Sequence, residues 1–170
     1  GEESKRGMYR PIGINRNNFV AITQLRPYVP AEMMGVEWIA VGSNAFNEAV
    51  PFYANVNATP AYLANTGKDA DTNNFYWANR LAGALADAHY AACISHVERY
   101  QLKLASEGHR LLKAFDEAYQ AKPAEDATAY LTECNQKIAD TAQALTTDLL
   151  NKVLFSASVE MKNAFARSDA

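Results

Sequence analysis

Five of the six prolines fall within the first 60 residues: Pro11, Pro27, Pro30, Pro51 and Pro60. Only Pro123 interrupts the Ala-rich remainder. Proline removes a backbone donor and breaks helix interiors, so this asymmetry confines long helices to the second part of the chain. The composition changes near residue 70. Residues 1–70 read as strands and turns, and residues 71–170 as helices, the two forming one structural unit of α+β class.

Three strands are expected in the first part. Phe19–Arg26 is rich in β-formers and ends at Pro27. Gly35–Val41 alternates Val36, Trp38 and Ala40 against Glu37, Ile39 and Val41, and stops at the turn signal Gly42-Ser43-Asn44. Ala49–Val56 carries Pro51, which belongs at a strand end, an edge or a bulge. Short connections predict an antiparallel meander.

Asp71-Thr72-Asn73 supplies capping residues for the first helix. Phe75, Ala78, Leu81, Leu85, Ala88 and Ala92 then step by three or four, and the pattern runs on to Phe115 and Tyr119 with a break expected at Gly108. Pro123 fits the first turn of a second helix. There Ala127, Leu131, Cys134, Ile138, Thr141, Leu145 and Leu149 trace a heptad-like stripe. Two long helices with a short linker predict an antiparallel pair.

Charge and composition exclude several classes of function. The net charge of −3 and the lack of any Lys/Arg block argue against nucleic acid as a partner. No apolar run is long enough to span a membrane. The opening GEESKRGMYR is not a signal peptide. Two cysteines, Cys93 and Cys134, make no disulfide framework and read as small buried thiols.

The local cluster richest in chemistry is His89, Cys93 and His96, whose spacing puts all three on one helical face. It could offer zinc three ligands or form a Cys–His dyad, but no fourth ligand or orienting carboxylate lies nearby. Its Ala-rich surroundings favour an inert thiol, so no metal and no cofactor are expected. His109 reads as a solvated helix residue, Asn57-Ala58-Thr59 as a chance match to a glycosylation acceptor, and Phe75-Tyr76-Trp77 as an anchor of the helix on the sheet.

Five motifs, in order, resemble C69-family dipeptidases, which are N-terminal-nucleophile hydrolases. They are Arg10-Pro11-Ile12 followed by Arg16, Gln24-Leu25-Arg26, Gly35-Val36-Glu37-Trp38, Val50-Pro51-Phe52-Tyr53, and Phe75-Tyr76-Trp77-Ala78-Asn79-Arg80. The resemblance implies the C-terminal part of an αββα sandwich, with antiparallel strands followed by a long helical pair. It implies a cysteine-type hydrolase acting on dipeptide substrates. That family's nucleophile is an N-terminal cysteine, whereas this chain begins with Gly1. No catalytic residue is therefore transferred to it, and the chain alone is expected to be inactive.

Gln24 and Arg26 are the candidate substrate-binding residues, with an ion pair or sheet-edge hydrogen bonds as their structural alternative. The remaining N-terminal part of the same hydrolase is the expected partner, and apolar surface is expected where it docks. A homo-oligomer is compatible with the sequence. A cytoplasmic location is favoured over a secreted one, and the compartment otherwise stays open, since a signal would lie upstream of a C-terminal piece. Two other readings compete: a non-enzymatic helical-hairpin module that binds a partner helix through residues 127–149, and a metal-binding helical protein.

Overall fold

The computed structural model describes residue 14 and residues 17–161. The Arg10-Pro11-Ile12 motif, Arg16 and Gly1 lie outside the described residues. Among the described residues three strands, β1 (Phe19–Leu25), β2 (Gly35–Val41) and β3 (Val50–Tyr53), precede three α-helices, α1 (Phe75–Ala88), α2 (Tyr90–Ala121) and α3 (Ala127–Val159). The sheet is an antiparallel meander in the order β1-β2-β3.

Strand β3 is shorter than its sequence suggests, because its partner runs out. Ala54 N–H still donates to Gly35 O at 3.0 Å, but Met34 beyond it is in helical conformation. The outer edge of β3 is closed by a side chain. Asn135 of α3 accepts from Tyr53 N–H at 2.8 Å and donates to Tyr53 O at 2.9 Å, standing in for a neighbouring strand. Pro51 has the same parity as Tyr53, so its nitrogen also points away from β2 and its missing donor costs no ladder bond.

The break in the helical region is at His89, not at Gly108. His89 carries φ −125°, ψ 44° and caps both α1 and α2, giving three helices where two were expected. Helix α2 runs through Gly108 because that glycine admits β3: a Cβ there would lie 2.8 Å from Pro51 Cδ. Pro123 ends α2 rather than starting α3. It forces Lys122 to extended backbone (φ −150°, ψ 92°), and α3 begins later behind the cap Asp126, whose carboxylate accepts from Ala129 N–H.

Helices α2 and α3 are antiparallel. Tyr130 hydroxyl donates to Phe115 O at 3.0 Å, Tyr100 and Thr146 hydroxyls meet at 3.1 Å, and Cys93 Sγ faces Val153 O. The heptad stripe holds as far as Ile138 and then drifts. The buried line continues through Ala142, Thr146, Leu149, Val153 and Ala157, while Thr141 and Leu145 are only half-buried. The line from Leu131 through Asn135, Ile138 and Ala142 repeats every eleven residues, close to the natural helical period. A nearly straight α3 can thus cover both α1 and α2. On α1 the buried face is Phe75, Ala78, Asn79, Ala82, Gly83 and Ala86, and the expected Leu81 and Ala88 are exposed. Small residues turn inward because Ala82 and Ala86 share a cluster with Ala139 and Ala142 of α3, which leaves no room for leucine.

Candidate functional site

Residues 24 and 26 fall on the sheet face that looks toward α2, since Gln24 pairs with Val36 and side chains alternate along the strand. Arg26 follows the last residue of β1 and is 2% exposed. Its Nη1 lies 2.5 Å from Asp116 Oδ2, and Nη2 donates to Met33 O at 2.6 Å. Tyr53 hydroxyl donates to Asp116 Oδ1 at 2.8 Å, and the guanidinium carbon stands 5.6 Å from the Tyr53 ring centre. Burial first, and then the Asp116 hydrogen bond, push the Tyr53 phenol far above its ordinary range. The ion pair and the hydrogen-bonded phenol form a brace between β1, β3 and α2. Both Asp116 carboxylate oxygens and the Tyr53 hydroxyl are engaged within it.

Gln24 sits above this brace. Its Oε1 accepts from Trp38 Nε1 at 2.9 Å, which fixes the amide and leaves its NH2 without a partner among the described residues. The His109 ring lies 4.7 Å from Trp38. Together Gln24, Arg26, Trp38, His109 and Asp116 line a surface hollow of about 460 Å³. The hollow offers an amide donor, an imidazole and an indole, which suits hydrogen bonding to a carbonyl or carboxylate more than bond-breaking chemistry. Gln24 and Arg26 are therefore brought together, Arg26 as support and Gln24 with a donor to spare. His109 is exposed but rests on Trp38 rather than standing free in solvent. Asp116 escaped the sequence reading. Its signal was a carboxylate four residues after Leu112, on the buried line Leu104, Gly108, Leu112.

The His89, Cys93 and His96 side chains diverge. His89 Nδ1 meets Glu160 Oε2 at 2.7 Å, Cys93 is fully buried against α3, and His96 lines a groove between α2 and α3 beside Arg99, Lys103 and Lys152. Among the described residues no group of three or more His, Cys, Asp or Glu side chains could hold a metal ion. Both cysteines are buried, and burial raises both thiol pKa values, with Glu160 adding to the effect at Cys93. In the antiparallel pairing Cys134 packs level with Leu112, roughly 28 Å along α2 from Cys93, far beyond the reach of a disulfide.

Comparison with known proteins bears on this arrangement. The model of peptidase family C69 matches residues 1–103. A protein named Dipeptidase from Bifidobacterium longum is 39% identical over 99% of this chain and 39% of its own length. Probable dipeptidase A from Streptococcus pyogenes is 43% identical over 99% of this chain and 35% of its own length. Dipeptidase A from Lactobacillus helveticus is 34% identical over 91% of this chain and 32% of its own length. The chain thus spans 32–39% of the length of these relatives.

Proposed function

The chain belongs to peptidase family C69, and from that premise we propose that it forms the C-terminal part of a cysteine-type dipeptidase with an N-terminal-nucleophile αββα sandwich. The observation that carries this reading is the similarity of nearly the whole chain to proteins named as dipeptidases. In this reading residues 1–70 and 71–170 act as one unit. The Arg26–Asp116 pair and the Asn135 clasp on Tyr53 tie the two segments together and support that view.

The geometry supports the sandwich in one further way. Strand β1 exposes Phe19, Ile22 and Leu25, and among the described residues no strand pairs with its outer edge. A strand so apolar and so open calls for cover, which the remaining part of the hydrolase would provide. The nucleophile lies outside the described residues, since Cys93 and Cys134 are buried and held as thiols. Gln24 contacts the dipeptide substrate through the amide NH2 that has no partner among the described residues, and Arg26 positions it through the brace below.

The helical-module reading has no comparable support, because Leu131, Cys134, Ile138 and Leu149 are buried inside the chain rather than presented to a partner. A hybrid tests the proposal: this chain replaces the corresponding segment of the Bifidobacterium longum protein. The hybrid should release free amino acids from a dipeptide panel, and this chain alone should not. Turnover by the chain alone that disappears in Cys93→Ala would overturn the assignment of the nucleophile.

A further inference from the structure

We propose that the outer face of the α2–α3 pair, the side turned away from the sheet, docks a second copy of this chain about a twofold axis parallel to the two helices. Gly108 of α2 touches Pro51 of β3, and Arg99, nine residues earlier, lies on the opposite side of the helix. On α3, Asp140 and Asp148 each lie about 140° round the helix from Asn135, which clasps β3. Two adjoining hollows run along the seam between the helices on this side. Their walls differ in charge, with Arg99 and Lys103 on α2 and Asp140 and Asp148 on α3, all four exposed. Among the described residues neither Arg99 nor Lys103 has an ion-pair partner. Asp140 accepts from Gln136 Nε2 at 2.7 Å, and Asp148 meets Lys152 of its own helix through Oδ2 at 2.5 Å.

The placement of these charges makes the face complementary to itself. Tyr100 meets Thr146 and Cys93 meets Val153 across the pair, so Arg99 stands level with Asp148, and Lys103 less than a turn from Asp140. A twofold axis parallel to the helices keeps every level and lays α2 of each copy, antiparallel, on α3 of the other. Arg99 then faces Asp148 of the second copy, Lys103 faces its Asp140, and each contact occurs twice. A partner carrying one sign of charge would match only one wall. Ser106, Thr141 and Ala144 line the seam between the charges, and small side chains there permit a close approach of the helices. Two large apolar side chains stand open on the same side. Leu102, beside Arg99 and Lys103, is 74% exposed, and Phe155, two turns beyond Asp148, is 71% exposed. In the twofold pair Phe155 comes level with the small residues Ala92 and Ser95 of the second copy. Helices of 32 and 33 residues side by side give a face about 50 Å by about 20 Å. That is roughly 1,000 Å² from each copy, enough for a specific interface, which needs about 800 Å² per partner. The charges set the orientation and the covered area supplies the affinity.

Sedimentation velocity of the 170-residue chain tests the pairing. The chain should pass from monomer to dimer in the micromolar range at low salt, and added salt should weaken the dimer. Lys103→Asp and Asp140→Lys should each raise the dissociation constant at least about 10-fold. Both positions are exposed, so the thermal midpoints should stay where they are. An equimolar mixture of the two variants should recover the original affinity. There the introduced aspartate meets the introduced lysine, and the remaining Lys103 meets the remaining Asp140. Recovery of this kind also excludes damage to the fold as the cause of the single effects. Phe155→Ala should weaken the dimer at least about 10-fold, the contribution of a buried large apolar side chain. A chain that stays monomeric at high micromolar concentration, variants that pair like the unaltered chain, or a mixture that stays monomeric would each overturn the proposal. So would a dimer that Ile22→Asp breaks and Lys103→Asp leaves intact, since that dimer would lie on the edge of β1.

Discussion

Gly108→Ala places a methyl group against a ring that cannot move. The new Cβ would lie 2.8 Å from Pro51 Cδ and 3.4 Å from Cγ. Ordinary carbon contacts are about 3.5–4.0 Å, so the overlap with Cδ is at least about 0.7 Å. A long side chain would swing aside, but the Pro51 ring is part of a buried backbone paired with Trp38. The alternative is to lift α2 off the sheet, which strains the Arg26–Asp116 pair two turns further along. Overpacking of this kind costs about 1–3 kcal/mol, while alanine in place of glycine inside a helix stabilises by about 0.8–1.0 kcal/mol. At mid-range the balance is a net loss of about 1 kcal/mol, within limits of about 0–2 kcal/mol. At about 2–4 °C per kcal/mol for a chain of this size, the thermal midpoint should fall by several degrees. Urea unfolding followed by circular dichroism gives the free energy directly. Two controls isolate the cause. Gly67→Ala meets nothing within 4 Å and should be neutral or slightly stabilising. In a Pro51→Ala background, which removes Cγ and Cδ, Gly108→Ala should change sign and stabilise. If Gly108→Ala stabilises the unaltered chain by about 1 kcal/mol, helix propensity alone governs the position and the close approach of α2 to β3 is wrong.

Asp116→Ala strands a buried guanidinium and should cost about 3–5 kcal/mol in the same assay, so a loss below 1 kcal/mol would contradict the brace. Asn135→Leu keeps the volume but leaves Tyr53 N–H and C=O without partners, and a destabilisation of about 1–3 kcal/mol per lost partner is expected. Ile138→Ala should cost about 2–5 kcal/mol while Lys137→Ala on the same turn changes little, and equal melting of the two would show that the α3 stripe faces no core. A thiol reagent at neutral pH should label Cys93 and Cys134 only after urea unfolding. Because folding raises both thiol pKa values, their contribution to stability is fully present below the ordinary thiol range and is lost as pH climbs from there toward the folded values, which an alkaline urea series would detect.

The strands were legible because turn residues bracket them. Gly42-Ser43-Asn44 stops β2, Pro27 follows β1, and the pairing partners lie close in sequence. The helices were legible as a class but not in their joints. A glycine in a helical run looks like a weak point, and only the fold reveals that Gly108 is there for its missing Cβ. The true break at His89 has no glycine or proline beside it and is set by how α1 and α2 each dock on α3. The drift from seven- to eleven-residue spacing on α3 likewise depends on which helices it must cover. Of the candidate site, Gln24 and Arg26 could be singled out as polar residues in strand motifs, but the Arg26 partner lies 90 residues away. Phe75 and Tyr76 read as an anchor on the sheet, and that is half their role. They also line a hollow with Ile39 and Val41 of β2, a meeting of residues more than 30 positions apart that no local pattern announces.

The Asn135 clasp on Tyr53 joins residues 82 positions apart, and that separation has a consequence during synthesis. Ribosomes add about 5–20 residues per second, so β3 emerges about 4–16 s before the side chain that closes its edge. Throughout that interval Val50–Tyr53 presents unpaired backbone groups on a fully buried-type apolar strand. Pro51 sits in the middle of that edge and offers no N–H to a stray strand. The ring for which Gly108 makes room in the finished molecule also guards the nascent one, and a Pro51→Val chain should aggregate during translation even where the folded protein tolerates the change.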